Sequence, residues 1–196
     1  MRHLIIYAHP NGESLNGKFK DALQGYLLQK GNEVIVRDLY ELQFDPVLSL
    51  QDMEGQRKGQ VEDDVRLEQE LISWAEHITF IHPIWWTGMP AVMKGYIDRV
   101  FSYGFAYRYD QGVQKGLLKG KQAVIINTHG KSHDEYREIG MDRALRLTSD
   151  KGIYNYCGFE ISQHFFFEKA DRVGAETVES WITEILALYK NTAVAL

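Results

Sequence analysis

The chain has 196 residues, of which 44% are hydrophobic and 25% charged, which predicts one globular domain over residues 1–196 whose core needs no disulfide or metal. A net charge of −5 disfavours a nucleic-acid-binding protein, which usually carries a basic face. A single cysteine, Cys157, and no apolar stretch long enough for a signal peptide or a membrane span predict a cytoplasmic protein that is not inserted in a membrane.

The first third of the chain predicts a strand, a helix, a second strand and a loop. Residues 4–8 form a short apolar run, as expected for a strand buried on both faces. Ser14 is the expected N-cap of the following helix, and Gly31 is its expected C-cap. Residues 33–39 predict the second strand. The long polar segment 41–64 predicts an irregular loop that is functional or lies at an interface.

Helix and strand continue to alternate in the rest of the chain. Helices are predicted over 64–75, from Pro90 to about 101, and over 172–190, and strands over 77–82, 123–127 and 159–167. This alternation predicts an α/β fold, a three-layer α/β/α sandwich around a five-stranded parallel sheet of order 2-1-3-4-5. Ligands of such sheets bind beyond the carboxyl ends of the strands, beside strands 1 and 3. The candidate site therefore comprises the segments 9–16, 83–90 and 128–136.

Residues 9–16 run from a strand end into a helix start, a place that suits a phosphate group. A helix N-terminus presents free N–H groups and a partial positive charge, and His9, Ser14 and Asn16 add polar side chains. The segment contains no Gly-x-Gly-x-x-Gly or Walker lysine motif, which disfavours a Rossmann or P-loop nucleotide site. The alternative is that Ser14 only caps the helix and His9 only closes a turn.

Residues 83–90 contain two adjacent tryptophans, Trp85 and Trp86. Two large planar side chains side by side in a loop cannot both point into one small core, so we favour a flat ligand stacked on one of them. Gly88 would let the backbone approach such a ligand closely. The alternative is that one ring packs under the sheet and the other lies at a subunit contact.

Residues 128–136 offer backbone N–H groups to the polar edge of a ring, and His129 or Tyr136 could donate a proton or a hydrogen bond. An ordinary surface loop is the alternative. The loop histidines predict no metal site, because no thiol pair or helical histidine pair accompanies them. A serine hydrolase is disfavoured because Gly-x-Ser-x-Gly is missing, and Cys157 is expected to be a small core residue rather than a nucleophile.

Several stretches together resemble one enzyme family. The most specific runs from Pro83-Ile84-Trp85-Trp86-Thr87-Gly88-Met89-Pro90 to Phe101 and continues at Gly104-Phe105-Ala106-Tyr107; the others are Ala8-His9-Pro10, Ser14-Leu15-Asn16, Asp38-Leu39-Tyr40 and Tyr156-Cys157-Gly158-Phe159. From Leu4 to about Tyr189, the chain resembles the NAD(P)H:quinone oxidoreductase family, which includes DT-diaphorase, shorter bacterial members and the ancillary reductases of glutathione-gated potassium efflux systems. The resemblance implies a flavodoxin-like fold, a bound flavin and a homodimer with its active site at the interface.

The resemblance also implies roles for individual residues. The residues implied to hold the flavin phosphate are His9, Ser14, Leu15 and Asn16. Those implied to line the flavin ring are Pro83, Ile84, Trp85, Trp86 and Thr87, and those at its polar edge are Asn127, Thr128, His129 and Gly130. Tyr136, implied to lie near the reacting part of the flavin, and His129 are the catalytic candidates. The implied substrate contacts are Trp86 and Gly88, with Tyr107 and Tyr109 reaching in from the partner subunit.

The sequence departs from the family pattern in three places. His129 stands where the family's Thr-Thr-Gly-Gly motif has its first glycine, so the backbone approach there is expected to differ. The histidine that follows the tyrosine in the animal enzymes has no clear counterpart, because residues 139–142 fall there, and a charge relay is not carried over. The chain also ends at Leu196 without the long C-terminal extension of larger members, which favours FMN, with FAD as the alternative.

The resulting hypothesis is a flavin-dependent oxidoreductase that passes two electrons from NAD(P)H to a quinone or a similar flat electrophile in one shared site, with ping-pong kinetics. The N–H groups of His129 and Gly130 would stabilise developing negative charge, and Tyr136 would donate a proton to the reduced acceptor. Three alternatives stay open: a flavodoxin-type electron carrier, a regulatory subunit of a potassium efflux transporter, and a flavin-free α/β binding domain.

Overall fold

The computed structural model describes residues 1–190 of the chain, and residues 191–196 of the predicted domain lie outside the described residues. Its elements in chain order are β1 (Arg2–Tyr7), α1 (Leu15–Gln29), β2 (Glu33–Asp38), α2 (Leu50–Arg57), α3 (Asp63–Trp74), β3 (His77–Pro83), α4 (Ala91–Val100), β4 (Tyr107–Asp110), β5 (Val113–Gly116), β6 (Gln122–Thr128), α5 (His133–Glu138), α6 (Met141–Arg146), a π-helix (Leu147–Asn155), β7 (Glu160–Phe167) and α7 (Ala175–Lys190).

Five of the strands form one parallel sheet in the order β2-β1-β3-β6-β7. Because β6 and β7 are the fourth and fifth predicted strands, this is the predicted order 2-1-3-4-5. The apolar run that predicted the first strand is buried on both faces, since every side chain from Leu4 to Ala8 is inaccessible to solvent. Continuous apolar character is what a central strand of a parallel sheet requires.

Helices cover both faces of this sheet, so the predicted three-layer sandwich is confirmed. Side chains alternate across a strand: in β1, Leu4 and Ile6 pack with α3, α4 and the π-helix. Ile5 and Tyr7 pack on the opposite face with α1 and α7. Cys157 is buried in the first of these cores as predicted, and burial raises the pKa of its thiol to about 12. Among residues 1–190, no helix is both long and apolar enough to cross a bilayer.

The predicted N-cap of α1 is confirmed by its hydrogen bond, whereas the C-cap is Lys30, one residue before the predicted Gly31. The Ser14 hydroxyl accepts from the N–H of Gly17 at 3.1 Å. Gly31 follows the last turn at a φ of +76°, a left-handed conformation that favours glycine. The closing helix α7 begins at Ala175, three residues later than the sequence predicted.

The prediction of an irregular loop over 41–64 is wrong in part, because α2 lies within it. Ser49 and Asp52 form a capping box at the start of α2, a local signature that the polar composition concealed. Arg99 of α4, itself buried, binds the carboxylates of Asp52 at 3.1 Å and Asp64 at 2.6 Å. The segment is therefore fixed against α4 by a buried ion-pair network.

Two further regions had no predicted structure. The antiparallel hairpin of β4 and β5 interrupts the alternation between α4 and β6, and α5, α6 and the π-helix fill the connection from β6 to β7. Short polar strands and single-turn helices carry little hydrophobic periodicity, which is why the pattern did not show them.

Candidate functional site

The three segments that follow β1, β3 and β6 converge on one cavity of about 250 Å³, the strand-end cavity. It brings together ten of the residues predicted to bind a cofactor, and two residues after β7 complete its wall. Its lining is His9, Ser14, Leu15, Asn16, Pro83, Ile84, Trp85, Thr128, His129, Gly130, Ala170 and Asp171. The expected position at the carboxyl ends of the central strands is therefore found.

The first wall of this cavity is the start of α1. Nδ1 of His9 lies 3.0 Å from both the backbone N–H and the carbonyl oxygen of Asn11, which holds the ring beside the start of the helix. Asn16 is buried and donates from its amide to the Thr128 hydroxyl at 2.8 Å, which ties the first segment to the third. The amide oxygen of Asn16 has no partner among residues 1–190. A helix N-terminus with these donors suits an anion.

The second wall is a tight hairpin, residues 85–88. Trp85 and Gly88 exchange two backbone hydrogen bonds of 3.0 Å, and the residues between them, Trp86 and Thr87, have φ angles of 51° and 58°. Such turns favour Asn-Gly, so a tryptophan and a β-branched residue in left-handed conformations are strained. Strain of this kind is found at ligand-binding sites.

Neither tryptophan belongs to the core, which agrees with the prediction that the two rings cannot both point into it. Trp86 is fully exposed and Trp85 is 41% exposed, which excludes the alternative that one ring packs under the sheet. The Trp85 ring lies 5.6 Å from the His9 ring, so it faces the strand-end cavity. Trp86 lines neither the strand-end cavity nor the two further cavities described below, and its role as a ligand contact stays a prediction.

The third wall contains His129, which is buried with both ring nitrogens unpartnered by any described side chain. Burial lowers the pKa of His129, and the neighbouring His133 lowers it further. The ring is therefore neutral at neutral pH. The N–H of His129 donates to the Phe167 carbonyl at 2.9 Å, so the prediction that it stabilises charge on a ligand is wrong. The N–H of Gly130 remains as a donor of this loop.

Tyr136 stacks on His129 and does not line the strand-end cavity itself. It borders an adjoining cavity of about 210 Å³, shared with His129 and lined also by His133, Arg137, Asp142, Arg146 and Phe166. Burial raises the pKa of Tyr136, which keeps the phenol protonated at neutral pH as a hydrogen-bond donor. Asp142, in the region where the family has a second histidine, has one carboxylate oxygen without a partner among residues 1–190.

Asn127 does not offer its side chain to the strand-end cavity. Its amide nitrogen donates to the His82 carbonyl at 2.9 Å, and its amide oxygen faces Nε2 of His164 at 2.8 Å. With Thr87 and Gly88 it lines a third cavity of about 260 Å³ beneath the hairpin, which we call the hairpin cavity. The side chain of Asn127 therefore has a structural role, and the predicted contact of Asn127 with the flavin edge stays a prediction.

Tyr107 and Tyr109 lie on the β4–β5 hairpin and border none of these cavities within one copy of the chain. The Tyr109 hydroxyl is 3.1 Å from that of Tyr156. Their predicted contact with a ligand from the partner subunit stays a prediction.

Sequence reasoning missed the residues that β7 and the π-helix add near the site. His164 binds Asp150 through Nδ1 at 2.6 Å, and Phe166 stacks on His164 at 4.0 Å. His164 and Phe166 lie in the segment 159–167, whose alternating pattern predicted only a strand. No motif of fixed spacing connects them to Asn127. A histidine inside a strand that ends beside the site is the one pattern that could have pointed to them.

Comparisons with known proteins agree with this architecture. A family model described as flavodoxin-like fold matches residues 1–192. A curated relative from Haemophilus influenzae, named an uncharacterized NAD(P)H oxidoreductase, is 41% identical over 161 residues, which are 82% of this chain and 80% of that protein.

Two further proteins are similar over most of the chain. NAD(P)H dehydrogenase [quinone] 1 of Cavia porcellus is 33% identical over 180 residues, covering 82% of this chain and 66% of that protein. The solved structure of an NAD(P)H:quinone oxidoreductase from Methanothermobacter marburgensis superposes with a TM-score of 0.83 at 25% identity, and the match covers 94% of each chain.

Proposed function

Because this chain belongs to the flavodoxin-like family that contains the NAD(P)H:quinone oxidoreductases, we propose that it binds a flavin in the strand-end cavity and reduces quinones or similar flat electrophiles with NAD(P)H. The observation that carries the proposal is the convergence of ten candidate residues from three separate segments on that one cavity.

The residues present fit a flavin at three points. The start of α1 offers its first N–H groups to a phosphate, with the ring of His9 beside them in the cavity wall. The unpartnered amide oxygen of Asn16 can accept from a hydroxyl of the flavin side chain. Trp85 and Ile84 supply apolar contact for a ring. We propose FMN as the bound form.

When bound, the flavin supplies the redox chemistry by accepting a hydride from NAD(P)H and passing it to the acceptor. The chain itself positions the reactants. The strained hairpin holds Trp86 outward, fully exposed, where it can contact a second flat ring. Gly130 has one N–H to aim at the polar edge of the flavin ring, since the N–H of His129 is already bonded to Phe167.

Tyr136 is the proposed proton donor to the reduced acceptor. Its phenol stays protonated because burial raises its pKa, and its ring is held flat against His129. Neutral His129 orients that ring without adding a positive charge. NAD(P)H and the electron acceptor would bind in turn on the same face of the flavin, which gives ping-pong kinetics.

We also propose a homodimer in which Tyr107 and Tyr109 of each copy border the site of the other, because these exposed or half-buried aromatics lie on a hairpin that borders none of the three cavities described above. Sedimentation analysis of the parent and of Tyr109→Ser tests the dimer, because the substitution should weaken the association of the two copies.

We propose a cytoplasmic location because the one cysteine is a buried thiol.

The absorption spectrum of the purified protein, recorded before and after anaerobic addition of NADPH, tests the proposed function. We expect a flavin spectrum that bleaches in one two-electron step and recovers when menadione is added. Chromatography of the released cofactor identifies FMN or FAD. A colourless protein that binds neither flavin would contradict the proposal, and a long-lived one-electron form would indicate an electron carrier instead.

A further inference from the structure

The hairpin cavity is separate from the strand-end cavity, because the two share only Ile84 among their lining residues. Its volume of about 260 Å³ is close to that of small ligand pockets. Its wall combines apolar side chains, among them Met89, Leu145, Ile153 and Phe166, with polar ones that include Lys94.

The floor of the hairpin cavity is a chain of hydrogen bonds among buried side chains. Nδ1 of His82 donates to the Pro83 carbonyl at 3.0 Å. Asn127 bonds the His82 carbonyl and His164, and His164 bonds Asp150 at 2.6 Å. Each member has its partners inside the chain, so the floor is fixed and offers a ligand a rigid surface.

One polar group of the wall has no partner. The hydroxyl of Ser149 is buried and bonds nothing among residues 1–190. The preceding residue, Thr148, bonds back to the carbonyls of Ala144 at 3.0 Å and Leu145 at 3.2 Å, which is the usual arrangement for a helical hydroxyl. A buried hydroxyl without a partner is destabilising, so a partner supplied by a ligand would account for it.

Two unusual backbone segments border this cavity. The roof includes Thr87, whose left-handed φ of 58° is strained for a β-branched residue. The wall that carries Ser149 is a nine-residue π-helix, Leu147–Asn155. Both features are rare and occur mostly at functional sites.

We propose that the hairpin cavity binds a flat molecule of one or two rings that bears a carbonyl or hydroxyl oxygen, with Ser149 Oγ as its hydrogen-bond partner. A serine hydroxyl can donate to a carbonyl or accept from a phenol, so the quinone and the hydroquinone forms both fit. This link to the reaction rests on the proposed function, whereas the binding itself does not.

The test uses naphthol, which the proposed reaction does not reduce, and methylnaphthalene as a probe of the same shape without oxygen. Each is titrated into the protein as purified, and methyl NMR signals are followed. We expect saturable shifts at Leu145, Ile153 and Met89, with Leu15 of the strand-end cavity unchanged. Shifts at Leu15 alone, or no saturable shift, would overturn the proposal.

Two variants separate the hydroxyl from the cavity. Ser149→Ala should weaken naphthol binding about fivefold, the effect of one net hydrogen bond, and leave methylnaphthalene unchanged. Ile153→Trp should fill the cavity and abolish binding of both probes, with circular dichroism as the control for folding. Equal naphthol affinity in Ser149→Ala and the parent would overturn the role of Ser149 even if Ile153→Trp does not fold. Because naphthol binding needs no redox step, it stays measurable if the proposed reductase activity fails.

Discussion

Tyr136 lies flat against His129, with the ring centroids 4.7 Å apart and the planes 13° apart. This contact fixes the phenol at the edge of the strand-end cavity, since His129 borders both that cavity and the one that Tyr136 lines. A neutral imidazole beneath a protonated phenol is a preorganised donor and does not compete for the same proton.

Tyr136→Phe should therefore lower turnover by about 10²–10⁴, the usual contribution of a positioned proton donor. Stacking on His129 is retained, so flavin content and the free energy of unfolding should change little. Steady-state rates with menadione and NADPH measure the effect. Tyr26→Phe, near the far end of α1, is the matched control and should keep parental rates. Equal rates for Tyr136→Phe and the parent at every pH would remove Tyr136 from the reaction.

The sheet could be predicted from sequence because its strands are continuous apolar runs between helices of clear periodicity. Leu4 to Ala8, for example, are all fully buried, and right-handed crossovers then leave few strand orders. The order in turn placed the segments after β1, β3 and β6 at one edge before any side chain was considered.

The hydrogen-bond chain beneath the hairpin could not be predicted in this way. His82, Asn127 and Asp150 are far apart in sequence, and His164, which bonds the last two, comes from a fourth element. No periodicity links residues that meet only through tertiary packing. The same holds for the N–H of His129, which is unavailable only because β7 brings Phe167 beside it.

The kinetic order is the second prediction. The hairpin leaves Trp86 fully exposed, next in sequence to Trp85 in the wall of the strand-end cavity, so NAD(P)H and the acceptor would approach over the same surface and exclude one another. Double-reciprocal plots at several fixed acceptor concentrations should be parallel. Intersecting lines would mean that both substrates bind at once and would contradict the shared site.

Substitution of Trp86 should weaken ligand binding and leave the stability of the fold almost unchanged. Because its ring is fully exposed, Trp86→Ala should leave the free energy of unfolding within about 0.5 kcal/mol of the parent. Affinity for flavin or substrate should fall roughly two- to tenfold, an aromatic effect of about 0.5–1.5 kcal/mol. Flavin titration and KM measure it, and unchanged values for both would exclude Trp86 from the site.

Trp86→Gly is the matched partner of that variant. It removes the same ring and also relieves the left-handed φ of 51°, which costs a residue with a Cβ roughly 1–2 kcal/mol. Denaturant unfolding should show Trp86→Gly to be about 1 kcal/mol more stable than Trp86→Ala. A glycine variant that is less stable than the alanine variant would argue against strain in the hairpin.

The buried ion pair that fixes segment 41–64 predicts a large loss of stability. Asp52→Ala leaves Arg99 buried beside only one carboxylate and should cost about 3 kcal/mol. Asp63→Ala breaks an exposed pair with Arg66 and should cost less than about 1 kcal/mol. Urea unfolding compares the two, and similar losses would show that the Arg99 network does not hold the segment.

The last prediction concerns pH and the floor of the hairpin cavity. Burial lowers the pKa of His82 to about 4, below its usual 6.5, although the Pro83 carbonyl partly offsets this. The unfolded chain therefore binds a proton at His82 before the folded chain does, and stability falls as the pH decreases from 6.5 towards 4. At pH 5 the protonation of this one residue in the unfolded chain should lower the free energy of unfolding by about 2 kcal/mol relative to pH 7.

Urea unfolding of the parent and of His82→Gln at both pH values measures this difference. The variant is less stable than the parent at pH 7, since it lacks the bond to Pro83. Between pH 7 and pH 5, however, it should lose about 2 kcal/mol less than the parent. Equal losses in the two proteins would mean that His82 is charged in the folded state or exposed to water, and the hydrogen-bond chain that forms the floor would then have to be assigned differently.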